Sequence, residues 1–308
     1  MMDTQVDREL LEKIADLVGK PVGAFNIRKD TGCDGRQSTE HIEITGKTDG
    51  KSGIDIRVKD GTVGETCHIP VIITKPGIQE LVYNDFYIGE NCNVNIVAGC
   101  GIHNCGVQNS QHDGIHTFHV GKNARVRYIE RHYGEGDGNG ENIMNPTTVV
   151  ELDEGSYMEM ETTQIKGVDS TVRVTRATLG PDATLIIHEK VMTHGKQHAK
   201  SDFTVDLNGA GCHTNVISRS VARGQSHQVF MARINGNAPC YGHSECDAII
   251  MDQGVVSAIP EVTANCLDAQ LVHEAAIGKI AGEQLTKLMT LGLTEKEAEE
   301  QIVNGFLK

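Results

Sequence analysis

Two stretches of this chain gather the side chains that hold soft metals. The first is Gly242-His-Ser-Glu-Cys246-Asp, followed by Asn265-Cys266 and His273-Glu274, with Cys240 just upstream. Thiolate and imidazole are ligand types of iron and iron–sulfur centres, and carboxylate is a harder partner that holds a cluster weakly. A thiolate at Cys246 completed by His273 and Glu274, with Cys240 and Cys266 in reserve, suits a site that must release its cargo. Glu245 and Asp247 flank Cys246, which places it near a strand end or the surface. The competing reading makes Cys246 a small buried residue and His273 an end cap. The second stretch is Cys100-Gly-Ile-His103-Asn-Cys105, with His112, His116 and His119 downstream. Its spacing is like a metal knuckle, but no second thiol pair lies at zinc-finger distance. Cys100 and Cys105 are equally well read as core or loop residues.

Other chemistry leaves no trace. There is no Gly-x-x-x-x-Gly-Lys-[Ser/Thr] loop for ATP, no Gly-x-Ser-x-Gly elbow and no His-Glu-x-x-His. The chain has 308 residues, with 28 basic against 42 acidic and a formal charge of −14. That balance argues against a broad nucleic-acid footprint. No apolar run reaches the roughly 20 residues that cross a bilayer, and the charged Asp7-Arg8-Glu9 near the start is unlike a secretory signal. Nine cysteines in such a chain are expected to be reduced thiols in the cytoplasm.

The elements that would position these residues are strands. Trp is absent, and Phe and Tyr number six each, so the core must be aliphatic and β-branched. An apolar residue, a Gly or Asx turn and then strict alternation recur from Ile88, Val120, Leu152 and Leu179, with starts 32, 32 and 27 residues apart. Offsets +4, +6 and +8 are apolar or small in each copy, as in Cys92/Val94/Ile96 and Ala183/Leu185/Ile187. Weaker copies start at Val58, Leu207 and Ile234. Such a repeat predicts stacked coils of a parallel β-helix, with a β-sandwich as the alternative. An amphipathic helix is expected over 7–18, on the face of Leu10, Leu11, Ile14, Leu17 and Val18. Shorter alternating segments surround Ile42–Ile44 and Ile54–Val58, and Asp137-Gly-Asn-Gly140 reads as a mobile surface loop. Residues 269–291 have helical composition, and Thr294-Glu-Lys-Glu297 is a capping box for a last helix. The division expected is therefore 1–20 helix, 21–268 β-helix and 269–308 helical segment, the terminal helices covering one end of the solenoid.

Several ordered strings resemble one family. Cys246-Asp-Ala-Ile-Ile, His273-Glu274-Ala-Ala-Ile-Gly-Lys279-Ile, Glu283-Gln284-Leu, Gly292-Leu-Thr-Glu-Lys-Glu-Ala298 and Ile302-Val-Asn-Gly-Phe306 are similar to the C-terminal core of the SufB/SufD scaffolds of iron–sulfur cluster assembly. Ala98-Gly99-Cys100 and Asn123-Ala124-Arg-Val126-Arg-Tyr128 resemble its earlier coils. The likeness runs over about residues 80–308. It implies a right-handed parallel β-helix flanked by helices and a scaffold rather than an enzyme. It also implies paired subunits joined near the C-terminal end of the solenoid, here a homodimer, and a SufC-type ATPase docked on the terminal helices. A transient cluster would sit at Cys246, His273 and Glu274 and pass to apo iron–sulfur acceptor proteins. The segment after Tyr128 holds no cysteine until Cys212, so the sulfur-accepting cysteine of longer members has no counterpart there; Cys266, Cys240 or the Cys100/Cys105 pair would substitute. Two other readings compete: a β-helix carbohydrate-active enzyme, which needs a carboxylate pair on one face, and a structural adaptor that regulates an ATPase without a cluster.

Overall fold

The structure is a computed structural model that describes residues 4–308. Helix α1 (Gln5–Ala15) leads into β1 (Ala24–Lys29), β2 (Gly32–Gln37), β3 (Ile42–Gly46), β4 (Gly53–Val58), β5 (Val63–Ile73), β6 (Gln79–Ile88), β7 (Asn93–His103), β8 (Ser110–Val120), β9 (Arg125–Glu135), β10 (Asn142–Met144) and β11 (Thr147–Leu152). The second half holds β12 (Tyr157–Lys166), β13 (Ser170–Leu179), β14 (Thr184–Thr193), β15 (His198–Leu207), β16 (His213–Ala222), β17 (His227–Gly236), β18 (Tyr241–Ile250), β19 (Val255–Ala264) and β20 (Gln270–Gly278), then α2 (Gly282–Thr290) and α3 (Glu295–Phe306). Successive strands alternate between two sheets. One runs β2-β1-β5-β7-β9-β12-β14-β16-β18-β20, the other β19-β17-β15-β13-β10-β8-β6-β4-β3 with β11 continuing β10. Pairing is parallel except at the first turn, where β1–β2 and β3–β4 are antiparallel. This is the expected parallel β-helix, of about eight turns.

The repeat marks one corner of each coil. Val58, Ile88, Val120, Leu152, Leu179 and Leu207 are register partners in adjacent coils. The turn that follows needs one left-handed residue, supplied by Gly61, Asn91, Asn123, Gly155, Asp182 and Gly211, the types that adopt positive φ at least cost. The next position, offset +4 in the four copies from Ile88 to Leu179, is small in coil after coil: Cys92, Ala124, Ser156 and Ala183, then Cys212 and Cys240 at the same corner, all buried. Backbone bonds from Arg125 N to Cys92 O, from His213 N to Ala183 O and from Gln270 N to Cys240 O keep these corners in line.

Four expectations are corrected. Helix α1 ends at Ala15, with Asp16 left-handed at its C-terminus, so Val18 lies outside it and is exposed. Residues 270–278 are strand β20, one more coil, because they pair in register with β18 while their two alanines fit either state. The terminal helices do not cover the end of the solenoid. Instead α3 folds back along its side, where Val303 and Leu307 are buried with Val221 and Met251. Loop 137–140 is at the surface but pinned, since the N–H groups of Gly138 and Gly140 donate to the carbonyls of Asn104 and Gly106. The capping box forms as expected, Thr294 and Glu297 bonding each other's backbone N–H. Helix α1 packs Leu10, Leu11 and Ile14 on the outside of the first coils, a close approach open only because Gly99 lacks a side chain: a Cβ there would lie 2.8 Å from Ile14 O.

The interior is divided lengthwise. On the side that flanks the small corner it is apolar, with Phe86 and Phe118 stacked at 4.2 Å. The other side is a buried polar line. Arg28 donates to Glu80 (2.9 Å), which meets His112 Nδ1 at 3.0 Å. His116 lies between Asn84 (3.1 Å) and the Tyr128 hydroxyl (2.7 Å), which donates to Glu130. Glu130 pairs with Arg173, whose Nε lies 3.6 Å from Glu189, and Glu189 accepts from Ser201 and Ser218. Burial disfavours an ionised Glu130, yet Arg173 and His132 hold its carboxyl well below the usual range. Buried charges left without such partners would be strongly destabilising.

Two outcomes follow. Phe118→Ala removes a fully buried stacked ring and is expected to lower stability by about 3–5 kcal/mol in urea unfolding. Burial pushes the His116 imidazole down to about 4, against roughly 6.5 in an unfolded chain. The unfolded state thus gains a proton first as pH falls. This group's share of stability is complete above about pH 6.5 and is lost on descending toward 4, by on the order of 3 kcal/mol. Urea midpoints at several pH values should show that slope, and His116→Gln should flatten it.

Candidate functional site

Cys246 lies in the middle of β18 and is 0% exposed, not at a strand end or the surface as its charged neighbours suggested. Alternation explains the discrepancy: Glu245 and Asp247 face out, so Cys246 faces in. Its neighbours along the stack are, in order, Ala98, Glu130, Thr162, Glu189, Ser218, Cys246 and Ala275, each a register partner of the next. The thiol therefore stands at the far end of the interior polar line, on the last coil but one. Burial, with Glu189 and Asp247 nearby, pushes it up to about 12.

His273 is on β20, directly opposite Ser244, and its Nδ1 lies 3.1 Å from the Ser244 hydroxyl. It therefore shares the inner face with Cys246, two positions along. Burial and the nearby His243 lower its pKa, so the ring is neutral and its lone pair available at pH 7. Glu274, one residue on, projects from the opposite face of the sheet. There it meets two residues that sequence reasoning did not single out as a set. His243 Nε2 is 3.8 Å from its carboxylate, and ligand atoms of His243, Glu245 and Glu274 all lie within 4.8 Å of one another. Asn215 Oδ1, 2.9 Å from His243 Nδ1, orients the imidazole so that Nε2 faces the carboxylates. Such a carbonyl partner on the far nitrogen is the usual support of a metal-binding histidine. Glu245 and Glu274 are direct cross-strand partners. Like charges so placed repel, and a cation between them would relieve the repulsion. Burial, then Asp247, raises Glu245. The detectable signal was parity: His243, Glu245 and Glu274 share one face at register positions that only strand pairing reveals.

The structure does not bring the remaining candidates to this site. Cys240 belongs to the small-residue corner ladder above Cys212, and Cys266 occupies the last turn, where its carbonyl accepts from Ala269. Burial raises the Cys240 thiol. The earlier constellation divides three ways. Cys100, His112 and His116 point into the core, and burial with Glu80 and Glu130 holds the Cys100 thiol well above its usual value. His119 faces out, stacked on Tyr87 and bonded to Glu151 at 2.6 Å. His103 and Cys105 are at the strand end and loop, where Cys105 is exposed. The nine cysteines are all free.

The donor set is of the types that hold iron or an iron–sulfur cluster: one thiol and one neutral imidazole inside, one imidazole and two carboxylates outside, on the same two strands. Beyond them the terminal coil is uncovered. Ile259 and Val262 of β19 and Val272 and Ile277 of β20 are exposed. Among the described residues, no helix is long and apolar enough to cross a membrane.

Comparison with known proteins agrees with this chemistry. The family model described as the SUF system FeS cluster assembly SufBD core domain matches residues 82–306. An iron–sulfur cluster assembly SufBD family protein of Methanocaldococcus jannaschii is 32% identical over 276 residues, covering 88% of this chain and 86% of the relative. One from Archaeoglobus fulgidus is 30% identical over 275 residues, or 89% and 73%. A Pyrococcus horikoshii protein of the same description is 27% identical over 234 residues, or 75% and 69%. The matched region holds every coil from β6 onward together with both terminal helices, and with them Cys246, His273 and the outer trio, so the chain belongs to the SufBD core family of iron–sulfur cluster assembly proteins.

Proposed function

We propose that the protein is a non-enzymatic scaffold on which an iron–sulfur cluster is built and from which it passes to apo acceptor proteins. Cys246 supplies the thiolate and His273 the imidazole. Glu274, with His243 and Glu245, forms a harder station for ferrous iron on the outer face of the same strands. The observation that carries this reading is Cys246 itself, a buried thiol at the end of the polar line beneath a coil that no other described residue covers. The weaker imidazole and carboxylate ligands let the product leave. The scaffold works in the cytoplasm as a homodimer, with the apolar rim of β19 and β20 as its self-complementary patch. A SufC-type ATPase docks on the helical segment. Helix α2 has no buried residue, and Met289 and Leu291 are exposed.

Anaerobic reconstitution with ferrous iron and inorganic sulfide tests the site. Cys246→Ser should lose most of the cluster absorbance and His273→Ala part of it, while Cys240→Ser keeps it. Full iron and sulfide content in Cys246→Ser would remove the assignment. Because a thiol pushed up to about 12 must give up its proton to bind, iron affinity at this ligand should weaken about tenfold for each unit of falling pH near neutrality. Without sulfide, His243→Ala or Glu274→Gln should weaken ferrous iron binding at least about tenfold.

The partner surface is tested separately. Leu285→Asp with Met289→Asp on α2 should abolish co-purification with the ATPase. Helix α3 is left intact, since its buried Val303 and Leu307 belong to the fold.

A further inference from the structure

Where the chain leaves α3 it closes one side of a cavity of about 360 Å³ over the outer face of β12, β14 and β16. The lining includes Glu161, His188, Lys190, Ile217, Arg219 and Lys308. Lys190 and Arg219 are half-buried and are direct cross-strand partners. Like charges so placed repel each other. No described residue relieves that repulsion at Arg219. Arg127, Arg131, Arg176, Arg223 and Arg233 each meet a carboxylate. The Arg219 guanidinium has no hydrogen bond or ion pair with any described residue, Asp247, its partner on β18, included. The acid in the cavity is already engaged, since Glu161 accepts from Arg127 Nε at 3.1 Å and Nη2 at 2.6 Å.

Lys190 shows what this position accepts. Its Nζ donates to Lys308 O at 2.7 Å, which ties the end of α3 to β14. Leu307, one residue before, is buried against the solenoid with Val221 and Met251. An ammonium has three protons to donate, so a ligand oxygen can join the Lys308 carbonyl there. The Arg219 fork takes two oxygens side by side. A carboxylate fills that fork with both of its oxygens. A phosphate monoester fills it and keeps a third terminal oxygen for the ammonium. The cavity is larger than one phosphate group and lies in the range of small-molecule sites, and Ile217 gives it an apolar wall. The chain as a whole carries a formal charge of −14, which repels anions except where positive charge is gathered locally.

We infer that this cavity binds a small phosphate monoester and that the bound ligand clamps the end of α3 to the solenoid. Arg219 and Lys190 hold the phosphate, and Ile217 lies against the carbon skeleton. The Lys308 side chain adds a third positive charge from the far wall. The anion sits between Lys190 and Arg219 and removes their repulsion. It bridges β14, β16 and residue 308, so it binds only while the end of α3 is seated, and it stabilises that arrangement by mass action. The site owes nothing to the cluster ligands. Cys246 and His273 are on the inner face, and the outer trio begins one coil further on, where Glu245 is the register partner of Ile217.

The test uses the full chain, stripped of metal by a chelator and dialysed, in calorimetric titrations with glycerol 3-phosphate, inorganic phosphate and citrate. Glycerol 3-phosphate should bind one to one and inorganic phosphate more weakly. Arg219→Gln or Lys190→Gln should weaken both at least about tenfold. Arg176→Gln, on the other sheet, should bind as the parent does. Without ligand, Arg219→Gln should unfold at the same urea concentration as the parent or a higher one, because it removes a repulsion; lost binding is then not lost fold. Glycerol 3-phosphate should slow amide exchange at residues 303–307 in the parent and leave it unchanged in Arg219→Gln. Equal binding by the parent and Arg219→Gln, citrate bound as tightly as glycerol 3-phosphate, or no binding of either phosphate would each overturn the site. Binding with unchanged exchange at 303–307 would overturn the clamp.

Discussion

Everything in this molecule depends on register between coils. Parallel strands joined by evenly spaced backbone hydrogen bonds put the same offset of every coil in one column. A column can therefore have a chemistry of its own. One is small, because the corner has no room, and holds the buried Cys92, Cys212 and Cys240. Another is left-handed and restricted to Gly, Asn and Asp. A third is polar and buried and ends at Cys246. A cysteine's role in this chain follows from its column more than from its sequence neighbours.

The polar column is costly for a domain of this size. Glu130, Arg173 and Glu189 are almost fully buried, and their mutual pairing, His132 and the Tyr128, Ser201 and Ser218 hydroxyls offset the loss of water. Apolar residues of similar volume would stabilise at least as well. The line is retained over several coils yet closes on a buried thiol, which fits a solenoid organised around that thiol. The apolar half of the same interior, with the Phe86–Phe118 stack, supplies the stability that lets the other half be polar.

Much of the fold was legible because the repeat is written in residue types. The turn glycines and asparagines, the small residue at offset +4 and the alternation after it appear in the chain as they do in the coils, down to the starts at Ile88, Val120 and Leu152. Legibility failed at the ends, where one of the two signals disappears. In β20 the inward Ala275 and the outward Ala276 both read as helix formers, and the strand is recognised only by its partner. At the candidate site, Cys246, His273 and Glu274 were visible as residue types, but not which side of the sheet each occupies. Adjacent residues in a strand point opposite ways, so His273 and Glu274, read together as one ligand pair, belong to two environments. Only pairing with β18 gives Glu274 its actual companions, His243 and Glu245.

The same geometry divides the proposed ligands of a single chain between two faces. Cys246 lies beneath, and His273 on, a terminal coil that no other described residue covers, while the outer trio faces away from them across one sheet. No ion can touch Cys246 and Glu274 from the same side within one protomer. A second copy seated on β19 and β20 would cover the exposed Ile259, Val262 and Ile277 and bring its own residues to the coil above Cys246. Closing the solenoid end and completing the ligand shell are then one event. In the proposed homodimer, separating the subunits would expose both, and release of a cluster would be coupled to loosening of the dimer.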